Sequence, residues 1–330
     1  MKTWREALRY DPIPPLLAAS DEALRYFTKR DLLEESVGPI EKLWELPEAQ
    51  KIARRQQEDG SWKRPGKPKH DAINHNLIET WKQFRFLVQM YGFTRESPVG
   101  EKAAEFIFSC QTEEGDIRGI LANQYTTYYT GALLFLLVEA GYADDPRVKK
   151  AFQWLLSTRQ DDGAWSLAMI THKLDRETIL ELSSQYREPL QPDLSKPFSH
   201  NVTGMVLRAF AAHPRHRKSK AAIHAAELLA SRFFQKDAYT SYQAERYWIM
   251  LQYPYWWNQL VAALDSISLI GISKENENVS KALNWLIEHQ QESGLWKSSY
   301  AKGGKAHAGS KGSAPWVSLA ICRVLKRCAG

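Results

Sequence analysis

The stretch that decides the fold is Gln56-Gln57-Glu58-Asp59-Gly60-Ser61-Trp62. Its skeleton returns as Gln111, Gly115 and Ile117, as Arg159, Gly163 and Trp165, and as Gln290, Gly294 and Trp296. Three copies share a longer register. Lys102-Ala103, Lys150-Ala151 and Lys281-Ala282 stand nine and eight residues before the Gln or Arg. The pairs Phe106-Ile107, Trp154-Leu155 and Trp285-Leu286 stand five and four before it. Self-similarity of this kind settles architecture ahead of any local reading.

Each copy reads as an amphipathic helix with a fixed ending. The alanine and the aromatic-aliphatic pair share one face, because steps of three and four stay on one side of a helix. The glycine suits a left-handed residue closing the helix. The Gln is placed to satisfy backbone groups left open there, and the Trp to pack over the end. These are structural roles.

The pattern resembles the QW motif of the squalene-hopene and oxidosqualene cyclases, whose relatives include the β-subunits of protein prenyltransferases. The resemblance runs from Leu46 to Arg327. Arg118-Gly119-Ile120 through Trp165, and Trp316 through Lys326, look like single-domain cyclase-like proteins of unassigned activity. It implies an all-α fold: an α/α toroid of about six helical hairpins, with inner and outer helix rings closed around an apolar cavity. Residues 1–19 then form an N-terminal extension and 20–330 a single toroid domain.

The pass along the chain agrees. Helix pairs are expected at 72–91 with 98–110, 125–141 with 145–159, and 255–271 with 275–291, about twelve helices in all. From Gly163 to Gly294 the chain advances 131 residues, against 55 and 48 for the earlier intervals, so one pair without the signature belongs there. Residues 199–213 and 219–235, joined by His213-Pro214, fit it. A last helix at 314–327 is placed to close the ring against helices between 20 and 57. Links leaving a motif are long (63–71, 116–124, 166–198, 236–254 and 297–313), so the mouth of any site belongs at their end.

Composition narrows the function. The 12 Trp, 14 Tyr and 12 Phe supply a core and material for an aromatic-lined cavity. The net charge of +6 comes from 44 basic residues dispersed among 38 acidic ones, without a nucleic-acid motif, so no nucleic-acid partner is expected. Three cysteines without a pairing pattern suit a reducing cytoplasm. Residues 1–17 lack a signal-peptide core, and no run reaches the roughly 18 apolar residues of a membrane span. The expectation is a cytoplasmic protein, with peripheral membrane contact left open. Lys63, Arg64, Lys67 and Lys69, with Lys297, Lys302, Lys305 and Lys311, make two basic loops, read either as a rim attracting an anionic head group or as a solvated surface.

The relatives' chemistry is then tested residue by residue. Type II cyclases protonate their substrate with the middle Asp of Asp-x-Asp-Asp, and this chain has no such tetrad. Asp144-Asp145 and Asp161-Asp162 read as caps. The Asp-x-Cys of a prenyltransferase zinc site is missing too, so no metal and no cofactor are expected. What remains is polar residues on apolar helices. Asp265 sits within Leu260-Val261-Ala262-Ala263-Leu264-Asp265-Ser266-Ile267, sharing a stripe with Asn258 and Ser268. About 15 Å below a helix start at 255, a desolvated carboxyl would serve as general acid; a buried Asp capping a neighbouring helix or paired to an arginine is the alternative. His200 is a second candidate for catalysis. For substrate binding the candidates are Tyr125, Tyr128 and Tyr129 by cation–π attraction, then Tyr253, Trp256, Trp257, Asn258, Arg246, and His70 with His75 as base or diphosphate ligand.

Three functions stay open. The first is a terpene cyclase-like or prenyltransferase-like protein acting on or binding an isoprenoid or other hydrophobic ligand in an aromatic-lined cavity. The second is a non-catalytic carrier of a lipid or similar molecule, with or without an anionic head. The third is a polysaccharide-processing α/α toroid using Asp237, Glu245 and Asp265. Whether the protein is an enzyme is left open.

Overall fold

The computed structural model describes residues 4–67, 70–239, 245–298 and 313–329. Among these residues all regular elements are helical, and the only strand-like pairings are three isolated bridges inside turns. The α-helices in chain order are α1 (Ile13–Leu17), α2 (Glu22–Phe27), α3 (Pro47–Ala53), α4 (His75–Tyr91), α5 (Pro98–Ser109), α6 (Thr127–Leu137), α7 (Pro146–Ser157) and α8 (Ala168–Thr171). They continue with α9 (Arg176–Ser184), α10 (His200–Ala212), α11 (Lys220–Ala230), α12 (Leu260–Ile270), α13 (Glu277–Glu288) and α14 (Ser313–Ala329). The expected pairs are present as α4–α5, α6–α7, α10–α11 and α12–α13. Their limits follow local chemistry. Asn74 caps α4 by accepting from Leu77 N at 2.9 Å, and Gly92 ends it at φ 62°. Asp145 caps α7 by accepting from Arg147 N at 2.8 Å, the role read for it in the sequence.

Two starts are later than expected. α6 begins at Thr127 rather than 125, and α12 at Leu260 rather than 255. Pro254 bars helix over the preceding residue, and the Gln259 side chain caps α12 instead, accepting from Val261 N at 3.0 Å. Asn258 therefore lies outside the helix and shares no helical stripe with Asp265 and Ser268. Asp265 is also only about 7.5 Å from the helix start, half the expected depth.

The repeated turn is a staple between hairpins. Gln56 Nε2 donates to Gly60 O at 3.0 Å and to Val99 O, at the start of α5, at 2.9 Å. Gln111 Nε2 repeats this with Gly115 O at 2.8 Å and Arg147 O, at the start of α7, at 2.9 Å. Gln290 Nε2 does so with Gly294 O at 2.9 Å and Tyr10 O at 2.8 Å. In the third copy the amide belongs to Gln160, one residue beyond Arg159, and reaches Asp193 O and Lys196 O, both at 2.8 Å. The helix end is satisfied by the Trp: the indoles of Trp62, Trp165 and Trp296 donate to Ile52 O, Leu155 O and Leu286 O at 2.8, 2.7 and 2.6 Å. Gln and Trp thus exchange the duties expected of them, and the Gln holds the next segment in place.

Contacts divide the chain into two compact units. One comprises Ile40–Ala225 with Ala238–Thr240. Its helices α4, α6 and α10 are buried on most sides, while α5 and α7 bury one face each. Gly131 lets α6 lie on α10, since a β-carbon there would stand 2.6 Å from Val206 Cα. The other unit comprises Met1–Pro39, Ala226–Asp237 and Ser241–Gly330. In it α14 packs on α12, α1 and α2. Trp248 is the mark of the pair without a signature: its indole donates to Gln235 O, and its carbonyl accepts from Leu260 N, both at 2.9 Å. Trp165 O meets Ser199 N in the same way at the head of α10, at 3.0 Å. All three cysteines are free thiols, and burial pushes each above its ordinary value.

The His213-Pro214 turn has a consequence for acid stability. His213 accepts backbone N–H groups of Arg215 and His216 on Nδ1 and donates from Nε2 to Ala143 O at 3.0 Å. His216 stacks on Phe152 with centroids 4.0 Å apart, and burial, then His213 and Arg215, lower its pKa to about 4. The unfolded ring takes up a proton below about 6.5, and the folded ring only near 4. Stability therefore falls as pH drops from 6.5 towards 4, by about 1–2 kcal/mol after allowance for screening of a half-buried ring. Urea unfolding at pH 7.0, 5.5 and 4.5 should show this slope, and His216→Phe should flatten it.

Candidate functional site

Each unit holds a group of interacting polar residues that includes a sequence candidate. In the unit holding both termini, the group lies along α12 and α14. Asp265 pairs with Arg327, whose Nε also donates to Ser268 Oγ at 3.0 Å. Their side chains are 23% and 29% exposed. One turn earlier on α14, Arg323 donates from Nε to Asp31 Oδ2 at 2.8 Å, lies 5.2 Å from the Phe27 ring centre and reaches the Tyr253 hydroxyl at 3.5 Å. Burial alone would raise Asp31, but Arg323 and Arg30 outweigh it and hold its carboxyl below the usual range. Lys326 completes the group, donating to Asp31 O at 2.8 Å and pairing with Glu34 at 2.7 Å.

Aromatic rings flank these charges. Tyr253 stacks on Trp316 with centroids 5.6 Å apart and planes 5° from parallel, and meets Tyr255 edge-on at 5.0 Å. Burial, then Asp265, push the Tyr255 phenol well above its ordinary value. Trp257 and Asn258 are buried and Trp256 half-buried. Arg246 is exposed, with its guanidinium 5.7 Å from the Tyr247 ring centre. Asp237 is buried.

In the other unit the group follows α4. His75 opens the helix and is 9% exposed. Arg64, from the loop after Trp62, approaches its Nδ1 to 2.6 Å. An arginine only donates, so Nδ1 accepts and the ring proton is on Nε2. Burial, then Arg64, lower the pKa of His75, keeping the ring neutral. Glu79, one turn on, is buried and accepts from Gln83 Nε2 at 2.5 Å and from Lys82 Nζ at 3.4 Å. Trp81 meets Tyr129 edge-on at 5.4 Å, and Tyr129 meets Tyr128 at 4.9 Å. His200 opens α10 and is buried with Asn201. His70 is half-buried, and its carbonyl accepts from Ile73 N at 3.3 Å.

Tyr125 stands apart from Tyr128 and Tyr129. It precedes α6 and stacks on Trp154 of α7 at 6.1 Å, with the Arg118 guanidinium 4.4 Å from its ring centre and its hydroxyl on Glu114 at 3.0 Å. The expectation of three tyrosines on one face meets a chain that is not yet helical at 125. Lys63, Arg64, Lys67 and Lys297 are exposed, while Lys69, Lys302, Lys305 and Lys311 lie outside the described residues. Among the described residues no group of three or more His, Cys, Asp or Glu side chains is placed to hold a metal, and no helix is long and apolar enough to cross a membrane.

Sequence reasoning missed Arg323, Arg327 and Asp31. The rule that singled out Asp265, a charge inside an apolar run, also applies to Arg323 within Ile321-Cys322-Arg323-Val324-Leu325.

No protein family matches the sequence, and no curated protein does. Among solved structures the chain is similar to a protein from Actinoplanes, at 14% identity over 88% of both chains with a TM-score of 0.46. It is also similar to type II terpene cyclase MstE from Scytonema. A variant of that enzyme in complex with its substrate geranylgeranyl dihydroxybenzoate is 12% identical, over 88% of this chain and 85% of that one, with a TM-score of 0.44. Another variant, with the product merosterolic acid A, is 14% identical over 99% and 94%, with a TM-score of 0.43. Likeness at this distance transfers neither activity nor ligand to this chain.

Proposed function

We propose that the protein binds an isoprenoid or another hydrophobic molecule against the aromatic faces of its inner helices, within an α/α toroid of the terpenoid cyclase type. The observation that carries this reading is the edge-to-face set of Trp81, Tyr128 and Tyr129 on α4 and α6, beside the buried polar side chains of α4. Such a surface suits a long apolar ligand with one polar end. The type II cyclase relatives named above are recorded with an isoprenoid substrate and product.

Binding has more support than acid catalysis by Asp265. A general acid must hold a proton and give it up, whereas Asp265 is engaged as the anionic partner of Arg327. A polysaccharide reading has less support, because Asp237 is buried and Asp265 is taken. The test exposes purified protein to a lipid extract and identifies what it retains by native mass spectrometry. A retained polyprenyl or similar lipid is expected; retention of none would end this reading. Asp265→Asn should keep the ligand while losing about 1–2 kcal/mol of stability from the broken pair. If that variant bound normally but lost turnover of the retained lipid, Asp265 would be catalytic after all.

A further inference from the structure

Three of the long links meet at one cleft of about 480 Å³ in the unit built on Ile40–Ala225. Asp71 comes from the first link, Arg118 and Asn123 from the second, and Tyr186 from the third. Asn74, which caps α4, and Cys110, which follows α5, also line it. The size falls within the range of small-molecule sites, about 300–1,000 Å³. The walls are tied together. Asn74 N donates to Gly119 O at 2.8 Å and Asn74 Nδ2 to Cys110 Sγ at 3.5 Å, while Arg118 N donates to Cys110 O at 3.1 Å. Asn123 accepts from Arg187 N at 3.1 Å and donates to Arg187 O at 2.6 Å. The buried Gln124 accepts from Leu190 N at 2.9 Å and donates to Arg187 O and Glu188 O, both at 3.3 Å. The backbone beside Tyr186 is therefore fixed. Its side chain is 69% exposed at the cleft and makes no hydrogen bond or ring contact among the described residues. An aromatic ring presented in this way is preorganised for a ligand.

We infer that this cleft binds a neutral sugar, stacked on Tyr186 and held at its hydroxyls by Asp71 and Arg118. The inference is independent of the hydrophobic-ligand reading above. A pyranose offers an apolar C–H face to an aromatic ring and a rim of hydroxyls that both donate and accept. Asp71 is exposed, and its carboxylate, an acceptor only, has no partner among the described residues. Arg118 donates from Nε to Asp116 and from Nη2 to Glu114, which leaves Nη1 as a donor. Neighbouring hydroxyls of one ring suit such a pair. An anion is disfavoured, because Arg118 is already matched by two carboxylates and Asp71 adds a third. Lys67, exposed earlier in the same loop as Asp71, weighs against a cation. Binding without cleavage follows, because glycoside hydrolysis takes two available carboxyl groups and Arg118 holds both Asp116 and Glu114.

The experiment titrates the full chain with maltotriose, cellotriose, mannotriose and triacetylchitotriose, and separately with spermidine, by calorimetry and by saturation-transfer NMR of the sugar. At least one trisaccharide should bind and be recovered intact. Asp71→Asn should weaken it roughly tenfold, the share of one hydrogen bond to a charged group. Tyr186→Ala should weaken it by a similar factor through the lost ring face. Both side chains are exposed, so both variants should melt with the wild type, and the melting curve checks this. Binding of none of the four sugars, or binding that neither variant changes, overturns the inference. Tighter binding of spermidine, lost in Asp71→Asn, would make the cleft a cation site and overturn it too. So would release of shortened sugars, which would mean catalysis.

Discussion

Gly60→Ala should lower the unfolding free energy by roughly 4 kcal/mol. Gly60 has φ +85°, and a β-carbon built on it would lie 2.0 Å from the carbonyl oxygen of Lys102 in α5. Two costs add. The left-handed conformation costs a residue with a β-carbon about 1–2 kcal/mol, and forcing backbone apart from backbone costs about 1–3 kcal/mol more. No rotamer relieves the clash, because the backbone fixes the β-carbon and the atom it meets is a main-chain oxygen. Gly271→Ala separates the terms. Gly271 has φ +102° and nothing within 4 Å, so it should lose only the conformational part. Urea unfolding of both variants is the measurement. Equal losses would show that the close approach to Lys102 is not what requires glycine in the motif.

Trp165→Ala should cost about 4 kcal/mol, in the range for removing a large buried aromatic side chain. The ring is completely buried against Phe210, with centroids 5.1 Å apart, and its indole holds Leu155 O at 2.7 Å. The backbone N–H of Trp165 is held by Thr203 Oγ1 at 3.0 Å and survives the change. The loss is therefore a cavity plus one orphaned carbonyl. Trp165→Phe should recover more than half of it, because most of the volume returns and only the donor is missing. The second copy shows how the motif manages without an indole. Ile117 keeps the backbone bond to Thr130 Oγ1 at 3.1 Å, and Arg118 N reaches Cys110 O at 3.1 Å. A small loss in Trp165→Ala would mean that the neighbouring loop collapses into the space.

The helices were legible in the sequence because their punctuation is local. Gly92, Pro98, Asp145-Pro146 and Asn276 each act within a few residues, and the pairs they delimit are the pairs observed. The two late starts show where local reading runs out. Tyr125 and Tyr253-Pro254-Tyr255-Trp256-Trp257 continue an apolar pattern, yet their rings are held by partners far along the chain: Trp154 for Tyr125, Trp316 for Tyr253. The candidate site was legible only in part for the same reason. Asp265 and His75 could be named as polar groups in apolar settings. That Asp265 faces Arg327 depends on which helices become neighbours, and that His75 meets Arg64 depends on the path of the loop after Trp62. Repeat spacing does not encode that. The exchange of duties between Gln and Trp was equally out of reach: Pro98 and Pro146 mark where α5 and α7 begin, but not that the carbonyls of Val99 and Arg147 just after them receive a glutamine from the preceding turn.

The bond from Gln290 Nε2 to Tyr10 O joins residues 280 apart, and Gln290 Oε1 also accepts from the N–H groups of Arg9 and Tyr10, both at 3.1 Å. Two segments far apart in the chain are thus stitched together. Synthesis at roughly 5–20 residues per second keeps Leu16 and Leu24, whose side chains end fully buried, waiting for tens of seconds before α13 and α14 emerge. The intervening unit, continuous in sequence from Ile40 to Ala225, has its own partners throughout that time. Residues 9–24 can therefore complete this packing only after α13 and α14 have been made.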